Sequence, residues 1–174
     1  MFAHKLDQAL IESVLERARS SPRRRANHCF HDPADRLQRM VNAGLRGTYF
    51  APHRHKDPDK LEIFTVLAGR VLVLTFDDAG AILDRAILSR EASGAGDSGT
   101  WQVEIPPATW HTLVILSPEA VLYEVIDGYF DARTHKRFAP WAPSEADPEA
   151  ARLYLSELLR RAGTPDGPAG LISI

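Results

Sequence analysis

The sequence predicts an all-β domain carrying one helix at each end, and three observations support that expectation. Between Leu37 and Ile126 the chain runs in short stretches rich in Val, Ile, Leu, Phe and Tyr. Turn signals separate them: Ala68-Gly69, Asp77-Asp78-Ala79-Gly80, the loop from Ser93 to Gly99, and Ser117-Pro118. No helical apolar period intervenes. Short strands joined by close turns pair antiparallel and make a sandwich or barrel.

Taken in order, Lys5 to Arg19 places Leu6, Leu10, Val14 and Ala18 on one stripe, which is helical spacing, and Ser20-Ser21-Pro22 ends it. Arg23 to Arg25 then read as a solvated basic linker, with a place at the barrel mouth holding an anionic substrate as the alternative. Strands are expected at 37–43, 47–52, 61–67, 70–76, 81–88, 100–105, 111–117 and 120–126. Phe138 to Pro143 is too rich in proline for helix. Asp147-Pro148-Glu149 is a helix start, with a cap, proline at the first position and an acid in the first turn. Leu153, Tyr154, Leu158 and Leu159 give that helix an apolar face, and the last ten residues are expected to be mobile. The chain therefore divides into a helix and linker (1–36), a β-barrel (37–128) and a C-terminal segment (129–174).

The 174 residues suit one domain, and a net charge of -2 gives no global argument for nucleic acid. Cys29 is the only cysteine, so no internal disulfide forms. Acidic residues interrupt the first helix, and no apolar run is long enough for a bilayer. A cytoplasmic protein with no nucleic-acid or membrane partner is expected. Open sheet edges suggest a homodimer.

The chemistry concentrates in histidine. His53-Arg54-His55 falls on a strand end, where alternate residues share a face and both imidazoles can converge on one ion. Glu62 opens the next apolar run, with Asp57 and Asp59 as alternative carboxylates, and His111 opens a later strand. Three imidazoles and a carboxylate suit one divalent transition metal: Zn, Fe, Mn, Ni, Co or Cu. On spacing alone, an H-x-H pair is as readily a solvated polar pair.

The surrounding pattern is more specific. Gly47, five residues, His53-Arg54-His55, then Glu62, six residues and Gly69 resemble the first cupin motif. Gly99 with Pro106-Pro107-Ala108-Thr109-Trp110-His111 resembles the second. The sequence departs from the usual pattern in four places. Six residues separate His55 from Glu62, Gly99 lies one residue further from Pro106, Ala108 replaces a glycine, and Ile115 replaces the closing Asn. Longer stretches are similar to the WbuC family of cupin-fold metalloproteins: Gln38-Arg39-Met40, Asn42-Ala43, Gly47-Thr48-Tyr49, Pro52 to His55, Lys60-Leu61-Glu62, Phe76-Asp77-Asp78 with Gly80, Glu104 to Pro107, Trp110 to Leu113, and Phe138 to Pro143. The resemblance implies a jelly-roll (double-stranded β-helix) barrel, a divalent metal held by His53, His55, Glu62 and His111, and a link to surface-polysaccharide (O-antigen) metabolism. It implies no particular reaction.

Other residues are candidates around that site. Asn27, His31, Arg39 and Tyr49 are candidate substrate contacts, with Arg39 as a clamp for the anion of a sugar phosphate or nucleotide sugar. His31, Tyr123 and Glu124 are candidate proton-transfer groups, and the sequence leaves open which of them face the cavity. His4 and His135 read as surface residues. Trp141, between prolines, reads as a latch over the barrel or a dimer contact. The first functional expectation is Lewis-acid isomerisation or epimerisation of a sugar-like molecule. A non-catalytic metal-dependent binder or sensor and an iron-dependent dioxygenase are the alternatives.

Overall fold

The computed structural model describes residues 1–91 and 99–164. Residues 93–98 of the expected loop, and the expected mobile tail, lie outside them. The elements are α1 (Gln8–Ser20), β1 (Arg25–Cys29), β2 (Leu37–Leu45), β3 (His53–Arg54), β4 (Glu62–Ala68), β5 (Arg70–Phe76), β6 (Ile82–Ser89), β7 (Gln102–Ile105), β8 (Trp110–Ile115), β9 (Glu119–Asp127), β10 (Arg137–Phe138) and α2 (Pro148–Arg161). The strands form two five-stranded sheets, ordered β1-β2-β9-β4-β7 and β10-β3-β8-β5-β6. All of their named pairings are antiparallel.

Strand alternation sorts every side chain to the space between the sheets or to an outer face. Phe64, Val66, Val71, Val73, Leu113, Ile115 and Leu122 fill the interior. On the first sheet, Val41, Ala43 and Val121 point outward and pack with Val14, Leu15 and Ala18 of α1. On the second, Leu72, Leu74, Phe76, Trp110 and Val114 pack with Leu155, Leu158 and Leu159 of α2. Burying one such side chain stabilises by about 1.5–3 kcal/mol, which is what fixes a helix on each outer face. Both helices begin on an aspartate: Asp7 accepts from Leu10 N–H and Asp147 from Ala150 N–H, each at 3.0 Å.

Three local expectations are corrected. The linker expected between the first helix and residue 37 contains β1, an edge strand paired with β2 from Arg25↔Gly44 to Cys29↔Met40. The expected strand at 47–52 is absent: Gly47 turns the chain at φ 87°, and the following backbone is satisfied piecemeal. Thr112 Oγ1 donates to the Phe50 carbonyl and Ala139 N–H to that of Pro52. On α2, Leu153 is 55% exposed, and Ala151, Leu155, Leu158 and Leu159 form the buried face.

Candidate metal centre

The two sheets bring His53, His55, Glu62 and His111 together as expected. One ligating atom from each lies within 4.8 Å of all the others, and all four side chains are buried. Their positions follow from the strands. His53 and His111 are register partners across β3 and β8, and Glu62 opens β4 in the facing sheet.

Each imidazole is held by its far nitrogen. His53 Nδ1–H donates to the Ala51 carbonyl (3.0 Å), His111 Nδ1–H to the Thr109 carbonyl (2.9 Å), and His55 Nδ1–H to the His135 carbonyl. A carbonyl can only accept, so each Nδ1 carries the proton and each Nε2 presents a lone pair inward. Glu62 Oε2 lies 2.9 Å from His111 Nε2 and 3.2 Å from His55 Nε2. None of these three Nε2 atoms, nor Glu62 Oε2, has a hydrogen-bond partner. An unsatisfied buried polar group costs about 1–3 kcal/mol. Four of them converging on one point is the arrangement a divalent cation satisfies, so the residues fit a metal.

Electrostatics favour the ligating protonation states. Burial holds the His53 imidazole well below its ordinary value, so it stays neutral. Burial alone would raise the Glu62 carboxyl, but charge and hydrogen bonding across the His111 and His55 contacts hold it well below the usual range as a carboxylate, and a cation would take the place of the proton shared there, leaving each Nε2 its lone pair. Outside the cage, the Arg54 guanidinium lies 4.1 Å over the Trp110 ring. Asp78 Oδ1 accepts from both, at 3.1 Å from Arg54 and 2.8 Å from Trp110 Nε1. Arg54 lies between two ligands and Trp110 precedes the third, so this clamp ties the ligand strands together from behind.

The cage opens on a cavity of about 670 Å³ between the sheets. Three of the candidate residues line it: Asn27, His31 and Glu124. Burial, and then the nearby charge of Glu62, push the Glu124 carboxyl well above its ordinary range, and Asn42 Nδ2 donates to its Oε2 at 2.5 Å.

Arg39, Tyr49 and Tyr123 are not among the lining residues, and strand alternation or local bonding explains each case. Arg39 alternates with Gln38 and Met40 on β2, so its guanidinium turns out to the Phe30 carbonyl and Asp35 (both 3.1 Å). Tyr123 precedes Glu124 on β9 and packs outward near Phe30. The Tyr49 hydroxyl donates to the Pro143 carbonyl (3.0 Å) and its ring meets Tyr154. His28 also turns outward, onto Phe30, so it does not join Cys29 in a second site.

Several lining residues escaped the sequence reading. His135, expected at the surface, stands 4.8 Å from the His55 ring, and burial with neighbouring positive charge lowers it to about 3. Arg25 pairs with Glu145 at 2.6 Å, bonds to the Tyr49 carbonyl, and lies 4.6 Å over Phe50. Lys136, Asn42, Phe130 and Phe138 also line the cavity. The alternation that made His53 and His55 legible applies equally to Arg25, Asn27 and Cys29, but an arginine-rich stretch gives no apolar signal of a strand. Trp141, expected as a latch over the barrel or a dimer contact, packs 5.1 Å from Phe76 and 6.2 Å from Trp110 against the outer-face cluster that includes α2.

Residues 6–88 match the model of a domain of unknown function, DUF6016. No curated protein matches the sequence. Among solved structures, the capsular polysaccharide assembling protein CapF from Staphylococcus aureus is similar, with 23% identity and a TM-score of 0.52. That match covers 65% of this chain and 29% of CapF. CapF with the inhibitor 3-isopropenyl-tropolone gives 24% identity and a TM-score of 0.50, over 65% of this chain and 31% of that one. Protein SO0799 from Shewanella oneidensis gives 9% identity and a TM-score of 0.52, over 65% of this chain and 72% of that one. The chain thus spans under a third of the CapF length. These likenesses, with the two antiparallel sheets, establish the fold as a cupin jelly-roll barrel. Among the described residues no helix is long and apolar enough to cross a membrane.

Proposed function

We propose that this cupin-fold chain is a metal-dependent enzyme of the WbuC type, isomerising or epimerising a sugar-like small molecule in surface-polysaccharide metabolism. The observation that carries the reading is the convergence of four unsatisfied ligand atoms, two of them from residues lining a cavity (His53 and Glu62) that a buried carboxyl, Glu124, also lines. CapF, a capsular polysaccharide assembling protein, supports the polysaccharide setting by likeness of fold.

His53, His55, Glu62 and His111 would hold the cation, and when bound it supplies Lewis-acid polarisation of a substrate oxygen. The remaining work falls to the chain. Glu124 holds a proton on its carboxyl within the cavity, and Asn42 fixes that carboxyl's direction through Oε2. A group so placed can give or take a proton beside a polarised carbon. Phe64, Leu113 and Leu122 wall the interior side and exclude water. Asn27 and His31 offer polar groups on the β1 side to a ligand's hydroxyls.

The test is solvent-hydrogen exchange. Metal-loaded protein is incubated in D2O with a panel of sugar phosphates and nucleotide sugars, and deuterium incorporation is followed by NMR. Exchange into one sugar is expected, abolished by Glu124→Gln while metal content is retained. Binding without exchange would overturn the catalytic reading in favour of a metal-dependent binder. Absence of both exchange and thermal shift would overturn the sugar reading.

A further inference from the structure

The cavity's charges are not balanced. Arg23 and Arg25 share the single carboxylate of Glu145, at 2.9 and 2.6 Å, so both guanidiniums are tied up although that corner keeps one positive charge in excess. Lys136 differs. It lines the same cavity as His53, Glu62 and Glu124, and its charge acts on His53, Glu124 and His135. Among the described residues no carboxylate or carbonyl is bonded to it. With Glu62 committed to a divalent cation, the cage and Lys136 together carry surplus positive charge facing one space.

The apolar surroundings of that space are equally particular. Lys136 directly precedes β10, whose Phe138 is the register partner of His53. The Phe138 ring lies 6.2 Å from the His53 ring and is 56% exposed. The Phe130 ring lies 4.9 Å from His135 and is 42% exposed. Two exposed aromatic side chains thus line the same cavity as the unpaired Lys136 ammonium. An exposed aromatic costs hydration that a bound carbon skeleton would recover.

We propose that Lys136 is the anion anchor of this cavity. It holds a carboxylate or phosphate of the ligand beside the metal cage, while Phe130 and Phe138 cover the ligand's carbon skeleton. The inference rests on the reading that a small molecule enters this cavity, and moves the anion site from Arg39, which faces away, to the residue before β10. It makes the ligand an acid or phosphate ester rather than a neutral sugar.

The test uses full-length protein loaded with Co²⁺, titrated with glucuronate, inorganic phosphate and neutral methyl glucoside, and read by the cobalt visible absorption. At least one anion is expected to bind, and the glucoside not. Lys136→Ala should weaken anion binding by about 10-fold or more, the scale of a charge-assisted hydrogen bond, with cobalt content unchanged. Lys136→Arg should restore most of it. Phe138→Ala should weaken glucuronate and spare phosphate, which has no skeleton to cover. Glucuronate binding tighter than phosphate assigns a carboxylate ligand, and the reverse a phosphate ester. Equal affinity for the glucoside, anion binding indifferent to Lys136→Ala, or no anion binding at all would overturn the proposal. Failure of the unaltered protein to hold cobalt would instead overturn the metal reading on which it rests.

Discussion

The cage and the entrance of the same cavity are built on opposite principles. Every cage ligand sits on or beside a strand, is buried, and each histidine is fixed through Nδ1 to a backbone carbonyl. The entrance is made by the segment around β10, with Phe130, Lys136 and Phe138 exposed and Lys136 unbonded among the described residues. Preorganisation suits a group that must bind one ion in one geometry. Exposure and spare bonding capacity suit a surface that selects and releases ligands. The cage has the build that suits a metal ion, and the entrance the build that suits selection among ligands.

That contrast can be broken at the cage with the largest effect. Glu62→Gln keeps the side chain's shape but removes the charge that the imidazoles face, and should lower metal affinity by more than about 100-fold, measured by competition with a chelator. Arg25→Ala should leave metal affinity unchanged and lower stability by about 2 kcal/mol in urea unfolding, because it leaves half-buried Glu145 with only exposed Arg23 as its cationic partner and uncovers Phe50. The clamp behind the cage lies between these extremes. Asp78→Ala removes the acceptor shared by Arg54 and Trp110, and metal affinity should fall by up to about 10-fold with little loss of stability.

Two smaller effects sharpen the picture away from the metal. Ala108 stands at φ 60°, a left-handed position that favours glycine, so Ala108→Gly should stabilise by about 1 kcal/mol in thermal unfolding. Glu145 sets a pH limb. Burial would raise its carboxyl, but Arg25 reverses that and holds it below its ordinary 4.5. A depressed folded value means this stability is present above about pH 4.5 and lost as pH falls through the folded value. Glu145→Gln should flatten that acid limb in stability measured from pH 6 to pH 3.

These contrasts also explain what was legible in the sequence. His53 and His55 were readable because a two-residue period on a strand needs no partner information, and the cupin motifs tied them to Glu62 and His111. The helices were readable from their stripes and caps, although Leu153 lay on the wrong face. Tyr123 and Glu124 are neighbours on one strand, and only the register, which sets Glu124 beside Phe64 and Met40, decides which faces the ligand. Arg25, Glu145, His135 and Lys136 were missed because tertiary contacts between distant segments make their environment. His135, for instance, joins the site through its carbonyl as much as its ring.

The central claim is that His53, His55, Glu62 and His111 hold one divalent metal. Elemental analysis of the protein, purified without added metal, beside the His53→Ala, His111→Ala double variant tests it most directly. The account predicts close to one transition-metal ion per chain in the unaltered protein and essentially none in the folded double variant. Stoichiometric metal retained by the double variant would contradict it.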